Sequence, residues 1–243
     1  MPLKGINLAF LWVIMVMPSL SSFEKPPLRA TIIPVTPLRQ NCSLIWCHET
    51  KVGAIIDPGG DLPLILDSIA KYGVSVEKIL ITHGHFDHCG AAAVLSRTLN
   101  IPIIGPHKAD QFWIDQIPEN AQQYGFEAES FIPNSWLNDL DKIDLGNQII
   151  ITRHCPGHTP GHVVFHHAPS RLSIVGDVLF KDSIGRSDFP GGDPQALITS
   201  ITEKLWPMGN ETAFIPGHGR PSTFGAERAH NPFVADAVLA RMP

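Results

Sequence analysis

Ile79-Leu80-Ile81 runs without a break into Thr82-His83-Gly84-His85-Phe86-Asp87-His88. The apolar run has the character of a buried strand. Three imidazoles and a carboxylate follow at once, between His83 and His88. Polar groups at the mouth of a core cost free energy unless something partners them. The question is whether other coordinating groups come to the same strand end.

Four further stretches share this design, each placing a coordinating residue just after an apolar run. Ala54-Ile55-Ile56 leads to Asp57, and RHCPGHTPG (Arg153–Gly161) contains His158. SIVGDV (Ser173–Val178) contains Asp177, and FIPGHG (Phe214–Gly219) contains His218. Strand ends are rigid, and loops leaving one edge of a sheet converge. Imidazoles and carboxylates gathered in this way suit a borderline divalent metal such as zinc. His83 and His85, two apart in an extended loop, face the same way and form a three-nitrogen set with His158. Asp87, His88 and His218 form a second set. Asp177 has two carboxylate oxygens and can bridge the pair. Two ions held in this way would keep a hydroxide between them as a nucleophile. Asp57 is expected to orient a ligating histidine through its outer ring N–H, with turn formation before Pro58-Gly59 as the alternative.

The remaining histidines have local readings. His48, His107 and His230 are expected at the surface or in local hydrogen bonds, and His154 as structural. His162 is a candidate for orienting the PGHTPG loop. His166 and His167 are adjacent in a strand, so at most one of them is expected to face inward.

The rest of the chain alternates strand and helix. Thr31–Val35, Leu44–Cys47, Val52–Ile56, Lys78–Ile81, Ile101–Ile104, Gln148–Thr152, Val163–His166, Leu172–Val175 and Ala213–Ile215 read as strands. Leu62–Tyr72, Gly90–Leu99, Leu197–Leu205 and Thr223–His230 read as helices. Residues 107–140 read as surface helix and loop. Alternation of this kind predicts an α/β layered domain, and spacing leaves open whether its sheets are parallel or mixed.

The 243 residues are 44% hydrophobic and 17% charged, with a net charge of −5. That balance supplies a core and lacks the basic footprint of a nucleic-acid binder. Lys4, the apolar stretch Leu8–Met17 and Pro18-Ser19-Leu20-Ser21-Ser22 set residues 1–28 apart. The stretch is either a secretory signal or the result of a start placed upstream of Met15 or Met17. It is too short for a stable membrane span. Residues 29–243 are expected to form one domain. Cys42, Cys47, Cys89 and Cys155 form no CxxC site. Cys42 and Cys47 point to opposite faces of a strand, and all four read as small buried apolar residues.

THGHFDHCG, CPGHTPGH, the Gly-Asp at 176–177 and PGHG occur in an order that resembles the metallo-β-lactamase superfamily. The resemblance implies its αβ/βα four-layer sandwich over nearly the whole chain from about residue 29. With His88 following Asp87, and with DVLF and IGRSDFPGGD after Asp177, the chain is most similar to the short, single-domain hydroxyacylglutathione hydrolase (glyoxalase II) type. The C-terminal helical domain of the two-domain enzymes has no counterpart in residues 219–243.

The resemblance implies hydrolysis of a thioester such as S-lactoylglutathione. Asp87 would orient the hydroxide, and Arg186, or Lys181, would bind the glutathione moiety. It also implies two metal ions, with zinc the first expectation and iron or manganese the alternatives. One alternative is a persulfide dioxygenase holding one iron through His83, His158 and Asp177. Lactone or phosphodiester hydrolysis and a non-catalytic metal-binding module are others. The expected partner is a small-molecule thioester. Glutathione chemistry favours the cytoplasm; a genuine signal in residues 1–22 would mean export.

Overall fold

A computed structural model describes residues 26–241. The signal-like apolar stretch lies outside the described residues. The first sheet comprises β1 (Leu28–Val35), β2 (Gln40–Cys47), β3 (Val52–Ile56), β4 (Ser75–Leu80) and β5 (Ile103–Ile104), in that order. Its first three strands pair antiparallel, while β3, β4 and β5 run parallel. Next come β6 (Lys142–Leu145), β7 (Gln148–His154), β8 (Val163–His167) and β9 (Leu172–Gly176). A short hairpin of β10 (Leu179–Phe180) and β11 (Ser183–Ile184) precedes β12 (Ala213–Pro216) and β13 (Ser222–Thr223). The second sheet has the order β13-β12-β9-β8-β7-β6, with β12 and β9 parallel and its other pairs antiparallel. Both sheets are therefore mixed.

Successive side chains of a strand point to opposite faces. Here both faces of each sheet are covered, which explains the near-continuous apolar runs. Ile45, Ile56 and Leu80 from the first sheet meet Ile150, Phe165 and Ile174 from the second in one central core. Their chain neighbours Leu44, Ile55 and Ile79 point outward, under the helices Leu62–Tyr72 and Ala92–Leu99. On the far side, Val164 and Val175 pack beneath Leu197, Ile201 and Phe224. The layers run helix, sheet, sheet, helix, as the αβ/βα expectation required.

The helix Leu62–Tyr72 has its expected bounds, because Pro63 opens it and Gly73 closes it in the left-handed region at φ 60°. The helix expected at Leu197–Leu205 begins earlier. Asp193 caps it by accepting from the N–H groups of Gln195 and Ala196. It runs over Pro194–Thr199 and continues as a wider π-type coil through Ser200–Leu205.

Two expectations fail. Residues 107–140 are not simply surface: Asp110, Trp113, Ile114, Ile117 and Ala121 are buried against the first sheet's helices and the site. His166 and His167 are both buried, since neither face of β8 meets solvent. His166 Nδ1 pairs with Ser173 Oγ at 2.8 Å, and His167 Nε2 with Gln148 Oε1 at 3.2 Å. All four cysteines are free and buried.

Candidate metal centre

The HGHFDH motif changes conformation half-way along. Thr82 to His85 forms a non-helical loop after β4, ending with His85 in an extended conformation, whereas Phe86–Cys89 forms one helical turn. The turn is closed by bonds from the N–H groups of His88 and Cys89 to the His85 carbonyl, 3.0 and 3.1 Å. This switch splits one linear motif between two clusters. His83 and His85 face one way, Asp87 and His88 another.

In the first cluster, His85 Nδ1 lies 3.0 Å from His83 Nε2 and 3.1 Å from His158 Nε2. In the second, Asp87 Oδ2 lies 3.2 Å from His218 Nε2 and 3.9 Å from His88 Nε2. Asp177 stands between them. Its Oδ2 is 3.7 Å from His158 Nε2 and 3.8 Å from His218 Nε2, and its Oδ1 is 3.4 Å from His88 Nε2. All seven residues expected as ligands thus meet at one place. A Cβ on Gly217 would overlap the Asp177 carboxylate and the His88 ring, so the PGH turn must carry glycine there.

The outer ring nitrogens are held from behind. Asp57 Oδ2 meets His88 Nδ1 at 2.9 Å, and the same carboxylate accepts from Thr82 N–H at 2.7 Å and from the Thr82 hydroxyl at 2.5 Å. Thr82 Oγ1 in turn lies 3.0 Å from His83 Nδ1. His158 Nδ1 donates to the Arg186 carbonyl at 2.7 Å. His162 Nε2 accepts from the Asp177 N–H at 3.0 Å. Asp57 and His162 therefore both orient the cluster, and His154 is structural, with its Nε2 2.9 Å from the Pro160 carbonyl oxygen.

The two clusters differ electrically. Burial and the neighbouring imidazoles hold His83 well below the usual histidine range and push His85 down to about 3. Burial lowers His158 too. These rings are neutral lone-pair donors at pH 7. At His88 burial pulls in the same direction, but Asp177, Asp87 and the bond to Asp57 outweigh it and raise the ring well above its ordinary value. At His218, too, burial is outweighed, by the bond to Asp87 and the charge of Asp177. Burial would raise Asp87 and Asp177, yet the nearby histidines hold both carboxylates low.

The donor set fits a metal. Neutral ring nitrogens aimed at one another have too few protons to satisfy them all. His88 Nε2 and Asp177 Oδ1 are buried at the centre without a hydrogen-bond partner. Such orphaned atoms are rare in folded proteins, and a divalent cation would satisfy them.

A groove of about 910 Å³ opens onto the cluster, with Asp87, His158, Asp177 and His218 on its floor. Arg186 and Lys181, the expected substrate-binding residues, both line it. Arg186 is bound by Asp188 at 3.0 and 2.9 Å and lies over the Phe189 ring. Lys181 Nζ is 3.9 Å from Asp182 Oδ2.

The sequence reading missed Asp110, Trp113 and Arg220. Asp110 is fully buried, accepting from the Gly84 N–H at 2.9 Å, the Thr159 hydroxyl at 2.7 Å and the Gly161 N–H at 2.5 Å. It ties the loop of His85 to the loop of His158. Trp113 packs edge-on against His85, with centroids 4.5 Å apart. A lone acid before Gln111-Phe112-Trp113-Ile114 was the available signal. For Arg220 it was a cation two residues after a ligand candidate.

The family model described as Metallo-beta-lactamase superfamily matches residues 35–218, from the end of β1 to the last histidine of the second cluster. The chain belongs to this superfamily. It is 43% identical over 207 residues to the hydroxyacylglutathione hydrolase GloC of Haemophilus influenzae, covering 84% of this chain and 96% of that one. A solved structure described as the BLEG-1 B3 metallo-β-lactamase superposes with a TM-score of 0.78 at 32% identity, covering 85% of this chain and 99% of that one. TTHA1623, solved in a di-iron-bound form, gives 0.76 at 33% identity, covering 84% and 99%. No helix among the described residues is long and apolar enough to cross a membrane.

Proposed function

We infer that this protein is a metal-dependent hydrolase that cleaves a thioester, with S-lactoylglutathione or a related hydroxyacylglutathione as substrate. The observation that carries the reading is a complete pair of donor clusters joined by Asp177, in a chain 43% identical to a hydroxyacylglutathione hydrolase. His83, His85 and His158 are assigned to one divalent ion; Asp87, His88 and His218 to a second; Asp177 to both. Zinc is the first choice. The di-iron form of TTHA1623 supports iron as an alternative.

Ions held there supply Lewis acidity and activate water near neutral pH. The chain's own groups do the positioning. Asp87 accepts a hydrogen bond from the attacking water and aims it at the thioester carbonyl. Asp57 and Thr82 keep His88 and His83 turned inward. Trp113 and Phe189 flank His85 and exclude water from that side, with ring centroids 4.5 and 5.1 Å from it. The leaving thiolate needs no strong acid, because a thiol pKa is about 8.5. Arg186 and Lys181 line the groove as candidates for the carboxylates of the thiol moiety, and Arg186 must leave Asp188 to reach one. Glutathione thioesters form in the cytoplasm, which supports that compartment.

The likeness to a B3 β-lactamase favours a second reading, lactam hydrolysis at the same centre. Its 32% identity against 43% for the glutathione hydrolase ranks it lower. A one-iron dioxygenase would leave the Asp87–His88–His218 set without a role. The test loads the protein separately with zinc, iron and manganese and follows loss of thioester absorbance from S-lactoylglutathione, with a chelated control and a chromogenic β-lactam beside it. Metal-dependent thioester loss is expected. Turnover of the lactam alone would reverse the ranking, and none of either in fully loaded protein would remove both readings.

A further inference from the structure

Of the two cations expected to bind substrate, Arg186 is already engaged and Lys181 has an acidic neighbour. The Arg186 guanidinium donates twice to Asp188 and lies 4.4 Å from the Phe189 ring centroid. Lys181 has Asp182 beside it. Arg220 differs. It lines the same groove, is exposed, and has no carboxylate partner among the described residues. It follows His218 by two residues, so its loop starts at the candidate metal centre.

Gln116, Asn120 and Gln123 also line the groove. Their spacing of four and three residues sets them on one face of the helical segment 111–123, whose other face buries Ile117 and Ala121. None of the three carboxamides makes a side-chain hydrogen bond among the described residues. A row of unengaged amides and an unpaired guanidinium thus border one groove that leads to one reaction centre.

We propose that these residues form the binding site for the non-reacting part of the substrate: a short anionic peptide thiol, held by Arg220 through a carboxylate and by Gln116, Asn120 and Gln123 through its amide groups. This rests on the thioester reading above. A carboxamide offers both donors and an acceptor and so complements a peptide bond. The guanidinium fork complements a carboxylate in two-point contact. Binding energy from remote groups of this kind orients the reacting carbonyl.

The test is calorimetric titration of the metal-loaded full chain with S-methylglutathione, which has no thioester to cleave. Arg220→Ala should weaken binding about tenfold, as expected for loss of a charged hydrogen bond, and flatten the salt dependence. Arg220→Lys should recover part of the loss. The double variant Gln116→Ala/Asn120→Ala should weaken binding without changing the salt dependence. In turnover, Arg220→Ala should lower kcat/KM for the glutathione thioester about tenfold relative to the thioester of a small neutral thiol with the same acyl group. Unchanged affinity in Arg220→Ala, or no binding by the unaltered chain, overturns the proposed site. Binding that depends on Arg220 without turnover of any thioester would support the site and remove the hydrolase reading alone.

Discussion

His88 Nδ1 meets Asp57 Oδ2 at 2.9 Å, and both side chains are buried. That contact turns His88 Nε2 toward Asp87 and Asp177. Removing the carboxylate frees the ring to rotate and lowers its basicity as a ligand. Outer partners of this type change metal affinity by about 10–100-fold. Asp57→Ala should therefore weaken the metal-binding event of the His88 set most, and that of the His83 set less, because Asp57 reaches His83 only through Thr82. Competition titration against a chromogenic chelator reads both, and two wild-type affinities in the variant would contradict the role given to Asp57.

Metal uptake should release protons at pH 7. His88 is held well above the ordinary histidine value and His218 is raised in the same direction, so an ion entering this set competes with protons, chiefly at His88. His83, His85 and His158 are depressed and have none to lose. Affinity in the Asp87–His88–His218 set should fall as pH is lowered, more steeply than in the other set. Calorimetry in buffers of different ionisation enthalpy counts the protons; an enthalpy that does not vary with buffer would refute the assignment.

Asp110 should make a pH-dependent contribution to stability. Burial raises its carboxyl from 3.8 to about 6, against three hydrogen bonds that favour the anion. Between those values the folded chain holds a proton that the unfolded chain has lost, so this group's contribution to stability declines as pH rises through the window. A shift of this size corresponds to about 3 kcal/mol. Urea midpoints of metal-free wild type and Asp110→Asn from pH 4 to 7 should diverge accordingly. Parallel curves would show that Asp110 is not raised. Asp110→Ala leaves the Gly84 and Gly161 N–H groups without their acceptor and should cost about 2–4 kcal/mol.

Gly217→Ala tests how tightly the two clusters are joined. The added methyl would occupy the space of the Asp177 carboxylate and the His88 ring. Overpacking costs about 1–3 kcal/mol, so the fold should survive while Asp177 moves. The expected result is native circular dichroism with metal-dependent turnover reduced at least about tenfold, since misplacement of reacting groups is costly. Full activity would mean that the PGH turn shifts instead.

Short-range pattern in the chain carries much of this protein's architecture. Continuous runs such as Ala54-Ile55-Ile56 and Ile79-Leu80-Ile81 announced strands covered on both faces, because a half-exposed strand would alternate with polar residues. Pro63 and Gly73 set the ends of Leu62–Tyr72 through their own backbone preferences. The candidate ligands were legible because they fall in short motifs, HGHFDH, PGH and GD, at or within a few residues of strand ends. Tertiary structure alone decided what depends on residues distant in sequence coming into register. Asp110 joins Gly84 to Gly161 across separations of 26 and 51 residues, and no local pattern marks such a staple. His166 and His167 are both buried because helices cover the sheet's far face. The engagement of Arg186 by Asp188, with Arg220 lacking a carboxylate partner among the described residues, rests on side-chain geometry around a groove that exists only once the loops converge. Periodicity and backbone preference act over a few residues, whereas the closure of long loops decides which distant groups touch.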